Sequence, residues 1–445
     1  MPKRIAVLGH VGRGNLGDEA TLAAVIRQVR LHEPLAEIRA LTMNPADTLE
    51  RHGVPAFPLR RTAGHAPVVP ATDQQSAPSG EAGQDWKQDV LNRLKAVPLI
   101  VSPLRRLRDA ARAVADGVAE MGFLARSSRH LKEIDLLVVA GGGQLGDYFE
   151  GVWGYPFTIF KWVLMARARG GRVAFLSVGA GPIDSFLSKR FFRWALSLAS
   201  YRSFRDEGSK GLIEALGVIG PNHVTPDLVH EIETTGDVLA GRDGVRVVGI
   251  NPLPFHDPRY WAEDGQDMYR DYVRKLATFA VRLINSGYRI VLFPTQVKAD
   301  PPVISDVRAL IAEALPMSGL DSVTCPRVAT IDDLLAAIDQ TDLVVASRFH
   351  GIVISLAMGR PVIGLSYNPK TDELMADMGL GDFVSDIGGF EVSWLISRVE
   401  TTRGAYEEIR DRIESRRESY RAALSAQHEK LFGEACETAP CLSAP

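Results

Sequence analysis

RIAVLGHVGRGNLGDEATLAAVIRQVRL, residues 4–31, holds the fold in miniature. Its opening run, Arg4 to Gly9, is short and apolar, the pattern of a strand buried on both faces. From Glu19 to Leu31 the period changes, and Ala20, Ala23 and Ile26, or Leu22, Val25 and Val29, fall on one helical stripe. A strand, a glycine-rich loop and a helix in that order make one unit of a wound parallel sheet.

The unit repeats. Strand-like runs return at 38–42, 134–140, 172–181 and 200–206, with helical segments such as 157–169 between them. A second series occupies 245–251, 288–294, 342–348 and 361–367, separated by helical patterns over 268–286, 303–315, 331–339 and 351–358. This alternation predicts an α/β fold: two doubly wound, Rossmann-like parallel sheets, each covered by helices, facing one another across a cleft. Polar, glycine-bearing 231–244 marks the boundary, so one domain is expected over 1–235 and the other over 243–390. Residues 63–85, rich in Pro, Ala, Gly, Ser and Gln, read as a flexible loop. The helical insertion that follows, 86–130, carries Arg105, Arg106, Arg108 and Arg112, which suit a solvated helix face or, as the rarer alternative, an anionic lipid or polymer surface. One long charged amphipathic helix is expected over 391–432, with a loose tail over 433–445.

Composition narrows the class. With 445 residues, 46% of them hydrophobic, the chain is large enough for several cores and too apolar to be disordered. Lys and Arg number 51 against 54 Asp and Glu, a net charge of -3, which gives no general attraction to nucleic acid. Cys325, Cys436 and Cys441 form no CxxC pair and no disulfide framework, and the N-terminal apolar run is too short for a secretory signal. A cytoplasmic protein is expected, with a peripheral contact at the inner face of the membrane compatible with it.

Ligands of open parallel sheets gather beyond the carboxyl ends of the strands. After the first strand, GHVGRGNLGD (9–18) is neither a dinucleotide fingerprint nor a P-loop. It offers Asn15 and Asp18 at a helix start, where Asp18 either caps the helix or faces a substrate, or does both. GGGQLGD (141–147) places Gly141, Gly142 and Gly143 together, so that a ligand or another chain segment can approach the main chain, and adds Asp147 as a second carboxylate. Arg205, in FRDE, is a candidate cation or the partner of Asp206 or Glu207. The densest constellation is ASRFHG (346–351), where Arg348, His350 and a helix N-terminus coincide: a site for an anion with an imidazole able to exchange a proton near neutral pH. Lys370, in SYNPK, stands on the same rim. There is no HExxH, no DxD and no GxSxG, which leaves metal-free chemistry on an anionic substrate and no bound cofactor as the expectation.

Taken in order, GRGNLGDEA, GGGQLGD, FLSVGAGP, SFRDEGS with VTPD after it, and SRFHGIVISLAMGRPVIGLSYNPK resemble the polysaccharide pyruvyltransferase family over roughly residues 4–380. The insertion over 61–131 is longer than the family pattern, and its role stays unassigned. The resemblance implies a fold similar to the GT-B glycosyltransferases and transfer of a pyruvyl group from phosphoenolpyruvate, as co-substrate, to two hydroxyls of a sugar in a cell-surface polysaccharide or its lipid-linked precursor. A cyclic ketal forms and phosphate leaves. It also implies that the Arg and His of R-x-H, here Arg348 and His350, lie at the donor site. Read with the residues, Arg205, Arg348 and Lys370 would hold the carboxylate and phosphate, His350 would act as general acid, and Asp18 as base or hydroxyl-orienting group. The rival readings are a glycosyltransferase using a nucleotide sugar on the same scaffold and a catalytically idle partner in polysaccharide assembly.

Overall fold

The computed structural model describes residues 2–61, 115, 117–148, 150–232, 244–261 and 265–433. The expected loop over 63–85, the basic stretch at 105–112 and the tail beyond 433 lie outside the described residues. Seven strands form the first sheet: β1 (Arg4–Leu8), β2 (Glu37–Thr42), β3 (Ala56–Pro58), β4 (Leu136–Ala140), β5 (Arg172–Val178), β6 (Tyr201–Phe204) and β7 (His223–Val224), in the order β3-β2-β1-β4-β5-β6-β7. Six form the second: β8 (Val247–Asn251), β9 (Arg289–Leu292), β10 (Val323–Thr324), β11 (Leu343–Ala346), β12 (Val362–Ser366) and β13 (Val384–Asp386), in the order β10-β9-β8-β11-β12-β13. Every pairing is parallel, from β1 with β4 (Ile5 opposite Leu136) to β8 with β11 (Val248 opposite Leu343). Each sheet therefore reverses its winding beside its own first strand, and the crevices that open there lie beyond β1 and β4 in one lobe and beyond β8 and β11 in the other.

Helices cover the sheets: α1 (Leu16–His32), α2 (Pro45–His52), α3 (117–127), α4 (Tyr155–Ala168), α5 (Phe186–Ser197) and α6 (Glu207–Ala215) on the first lobe. The second lobe has α7 (Gln266–Asn285), α8 (Asp300–Ala314), α9 (Ile331–Asp339), α10 (Phe349–Ala357) and α11 (Pro369–Asp377). Strand alternation splits the first lobe into two cores. Ala6, Leu8, Leu137 and Val139 pack on one face, whereas Ile5, Val7, Leu136 and Val138 pack on the other. Both faces are dry, so these strands read as unbroken apolar runs instead of alternating ones.

The single helix expected over 391–432 is two, α12 (Val392–Gly404) and α13 (Tyr406–Phe432). Two threonines and a glycine at its end weaken α12, and Ala405 leaves helical geometry at φ −121°. Along α13 the buried residues Tyr406, Ile409, Ile413, Arg417, Tyr420, Leu424 and Leu431 recur at near-heptad spacing, one narrow seam. Its first half joins the core of the second lobe and its last turns join the first, through Leu424 and Leu431. One helix thus spans both lobes. A second tie is a main-chain seam: Leu16 N–H donates to the Thr295 carbonyl at 3.0 Å, and Val297 N–H to the Gly14 carbonyl at 2.9 Å.

Candidate active site

The seam brings the loop after β1 against the loop after β9, so the start of α1 looks across at the start of α10. Asn15, not Asp18, caps α1: its side-chain oxygen accepts the Gly17 N–H at 3.1 Å. Asp18 is free of that duty and nearly buried, 9% exposed. Burial first, then Glu19 and Asp227, push its carboxyl well above the usual carboxylate range, against the opposing pull of Arg205 and Asn15. These surroundings favour the protonated form of Asp18. Neighbouring Glu19 is committed elsewhere, accepting from Gly12 N–H at 2.9 Å and lying 2.8 Å from His52 Nε2.

The three glycines make the floor beneath Asp18. Gly141 and Gly142 take left-handed φ of +42° and +67°. What Gly141 admits is a chain segment, α1, since a Cβ there would meet Thr21 Cγ2 at 2.4 Å, and a Cβ on Gly142 would lie 3.5 Å from Asp18 Oδ1. Gly143 gives its carbonyl to the Tyr148 hydroxyl at 2.8 Å. Asp147 is drawn away from the group: its carboxylate accepts N–H bonds from Asp184 at 3.2 Å and Ser185 at 2.9 Å, holding the loop ahead of α5.

On the second lobe, Arg348 stands at the N-cap of α10, with Nε donating to Asp300 Oδ1 at 3.0 Å and Nη2 donating to the same oxygen. Asp300 is fully buried, and its other oxygen accepts from Thr295 N–H at 3.0 Å and Gln296 N–H at 2.8 Å. One carboxylate thus fixes both the arginine and the loop that forms the seam. Two residues on, the His350 ring packs against the first turn of α1, where a Cβ on Gly17 would sit 2.0 Å from Cγ. His350 Nε2 is buried without a hydrogen-bond partner. Burial lowers its pKa to about 4, Asp227 opposes this, and Arg205 and Arg348 lower it further. The expected titration near neutral pH is corrected accordingly: at pH 7 the imidazole is neutral.

Arg205, at the end of β6, reaches the same space from the first lobe. Its guanidinium carbon lies 4.5 Å over the Phe349 ring, a cation–π contact across the crevice. Room for it comes from Gly179, whose Cβ would fall 2.6 Å from Nε. The ion pairs are long: Nη1 is 3.5 Å from Asp227, and Nε is 3.4 Å from Asp206 without hydrogen-bond geometry, so buried Nε has no hydrogen-bond partner. Glu207, the other expected partner, pairs with Lys210 instead. Lys370, in the first turn of α11, makes no ion pair among the described residues, and burial followed by Arg205 lowers its pKa to about 8.

A small cleft beside Asp18 is lined by His10, Thr21, Gly142 and Gln144. Gln144 Nε2 donates to the carbonyls of Ala140 and Gly141 at 2.7 and 2.9 Å, which leaves its Oε1 buried with no hydrogen-bond partner. Burial, aided by Arg13, holds the His10 pKa down at about 3, and Tyr155 hydroxyl bonds its Nδ1. Among the described residues, no three of His, Cys, Asp and Glu are placed to hold a metal ion.

The family model for polysaccharide pyruvyl transferase matches residues 15–369, a span that takes in Asp18, Arg205, Arg348 and His350. The chain belongs to the polysaccharide pyruvyl transferase family. Its curated relatives include the amylovoran biosynthesis protein AmsJ of Erwinia amylovora, 21% identical over 335 residues, with 70% of this chain and 73% of AmsJ covered. Similar solved structures include the UDP-GlcNAc 2-epimerase of Neisseria meningitidis (12% identity, 96% of this chain and 99% of that one, TM-score 0.54). HepE of Anabaena, in complex with UDP, is another (14% identity, 96% and 99%, TM-score 0.51). At these identities the likeness is one of fold, GT-B-like, with two Rossmann-like lobes. The family match begins at the α1 cap and ends one residue before Lys370. Asp300, Asp227, Gln144 and Phe349 were not singled out from the sequence. Asp300 precedes Pro301 at a helix start and looks like an ordinary cap residue, and nothing local reveals that it reaches Arg348, 48 residues away.

Proposed function

We infer from the family that the general activity is pyruvylation of polysaccharide. We propose that this chain uses phosphoenolpyruvate as donor and forms a cyclic ketal on two hydroxyls of one sugar. The observation that carries the reading is the mismatch of charge and partners in the crevice. Arg205 and Arg348 bear on His350 from two lobes and Lys370 stands in the field of Arg205, while Arg205 Nε and His350 Nε2 are buried without hydrogen-bond partners. A small dianion with several acceptor oxygens supplies what those donors lack.

The pKa directions reverse the roles assigned from the sequence. Two groups pushed apart by their surroundings define an acid and a base. Protonated Asp18 is the acid and delivers its proton to the methylene carbon of the enol; neutral His350 is the base and takes the proton of the first sugar hydroxyl as its oxygen bonds to the neighbouring carbon. The bond from that carbon to the phosphate oxygen then breaks, and the second hydroxyl closes the ketal. The two hydroxyl protons account for the new methyl hydrogen and the proton on the released phosphate, so the cycle needs no redox partner. Gln144 Oε1, beside Asp18, is placed to accept from a sugar hydroxyl. The acceptor is a saccharide, free or lipid-linked.

The test is phosphate release from phosphoenolpyruvate with a panel of free and lipid-linked oligosaccharides, paired with titration calorimetry against phosphoenolpyruvate and nucleotide sugars. Acceptor-dependent phosphate and an acid-labile ketal in the product are expected. Saturable binding of a nucleotide sugar with none of phosphoenolpyruvate overturns the proposal in favour of a glycosyltransferase.

A further inference from the structure

The outer side of the first lobe concentrates exposed aromatic surface. α4 and α5 pack together, and their rings form a connected group: Trp153 lies 5.3 Å from Phe157, Phe157 5.6 Å from Phe191, and Phe191 6.2 Å from Trp194. Trp153 is 68% exposed, Phe186 66% and Trp194 44%. α3 extends the surface, its Glu120 pairing with Lys161 of α4, and it shows Val118 and Met121 to solvent. Single exposed apolar residues are ordinary, but a contiguous set this large marks a surface that meets something.

Charge says what it meets. α5 carries Lys189, Arg190 and Arg193 with no acidic residue, in a chain whose net charge is -3. The Arg190 guanidinium sits 4.8 Å over the Phe186 ring and 6.0 Å from that of Trp194, so cation and aromatics form one mixed face. The cores of protein interfaces are depleted of such charge, and a second copy docked by two-fold symmetry would bring like charges together. At a bilayer surface the same composition is complementary, with rings entering the headgroup and upper acyl region while cations meet lipid phosphates.

We propose that the α4–α5 face docks this protein onto membranes containing anionic phospholipid. No helix among the described residues is long and apolar enough to cross a membrane. The face and the crevice are linked through the chain: Trp153 lies two residues before buried Tyr155, whose hydroxyl bonds His10 on the loop after β1. Docked this way, the protein would meet a lipid-carried saccharide at the same surface. That last step rests on the pyruvyl-transfer reading; the docking itself does not.

Co-sedimentation of the full chain with phosphatidylcholine vesicles, with and without phosphatidylglycerol, tests it, alongside tryptophan emission. Binding to the anionic vesicles at low salt, release at high salt and a blue-shifted emission are expected. Replacing Lys189, Arg190 and Arg193 together by Ala should lower the partition coefficient by about 100-fold. Trp153→Ser with Phe186→Ser should lower it by about tenfold or more while leaving the melting temperature unchanged, since both side chains are exposed. The proposal is overturned by wild-type protein that stays in the supernatant, by equal binding to pure phosphatidylcholine, or by both variants binding like wild type. Light scattering that shows a dimer split by the aromatic substitutions overturns it as well, assigning the face to a second copy of the chain.

Discussion

Arg205 and Arg348 reach one crevice from opposite lobes, yet they are held in opposite ways. Arg348 spends Nε and Nη2 on Asp300, a fully buried carboxylate whose second oxygen is filled by two main-chain N–H groups. Arg205 has contacts of 3.4 and 3.5 Å to two carboxylates and a buried Nε that bonds to nothing. The first arginine is part of the scaffold and presents what remains of its guanidinium in a fixed place. The second is under-satisfied, which is costly in an empty site and repaid when an anion arrives. The lobe joint supports this division, because Asp300 also holds the loop that bonds to Gly14 and Leu16.

The contrast breaks most visibly in stability. Arg348→Ala leaves the buried Asp300 carboxyl with its two main-chain N–H bonds but without its cation, so a loss of about 3–5 kcal/mol is expected by chemical denaturation. Arg348→Met combined with Asp300→Asn should recover much of that loss but not turnover. An Arg348→Ala variant as stable as wild type would show that the pair is not structural. Next in size is Asp18→Asn, expected to cut turnover by about 100-fold or more by removing the acid. Its effect on stability has the opposite sign. A carboxyl with a raised folded-state pKa binds more protons native than unfolded, so it lowers stability progressively as pH rises above the unfolded value of about 4. Asp18→Asn should therefore stabilise the protein at pH 8 more than at pH 5. The reverse trend would mean that Asp18 is an ordinary ionised carboxylate and that the acid lies elsewhere.

Arg205→Ala tests the other half of the comparison. It should lower kcat/KM for phosphoenolpyruvate by about 100-fold, the loss of a charge-assisted hydrogen bond pair, with a clearly smaller loss of stability than Arg348→Ala. Equal destabilisation by the two substitutions would erase the distinction between scaffold and ligand cation.

Much of this was legible in the chain itself. All nine strands read from the sequence are present, and the central ones are plainest because a strand buried on both faces is continuously apolar, as LLVVA over 136–140 is. The four that were not legible, β3, β7, β10 and β13, are the four edge strands, two or three residues long, with too few side chains to carry a period. The break at Ala405 was hidden because α12 and α13 keep helical character on both sides of it. In the site, Arg205, Arg348, His350, Lys370 and Asp18 come together because strand-end position is a topological property that local sequence encodes. Asp147 did not join them, and Asp300 was missed, for the same reason: a carboxylate's partner depends on tertiary distance, and a short motif says nothing about it. The pKa values were inaccessible on that ground too. Burial and the sum of two arginines, not the identity of His350, decide that its imidazole is neutral.

Lys370 gives the smallest effect and the finest test of the cation set. Its ammonium has no ion-pair partner among the described residues and lies in the field of Arg205, which together with burial brings its pKa down to about 8. The lowered value means that the charge is present below pH 8 and disappears as pH rises through it, whereas Arg205 and Arg348 stay charged throughout. Because kcat/KM reports ionisations of the free enzyme, its profile for phosphoenolpyruvate should fall above about pH 8 as one donor cation is lost. Lys370→Gln should cost about tenfold at pH 7, in keeping with one exposed-to-half-buried charge contact, and should flatten that alkaline fall. Lys370→Arg should keep the activity at pH 7 and move the fall upward. If the Lys370→Gln profile still drops above pH 8, the ionisation belongs to another group, and Lys370 is a rim residue outside the donor site.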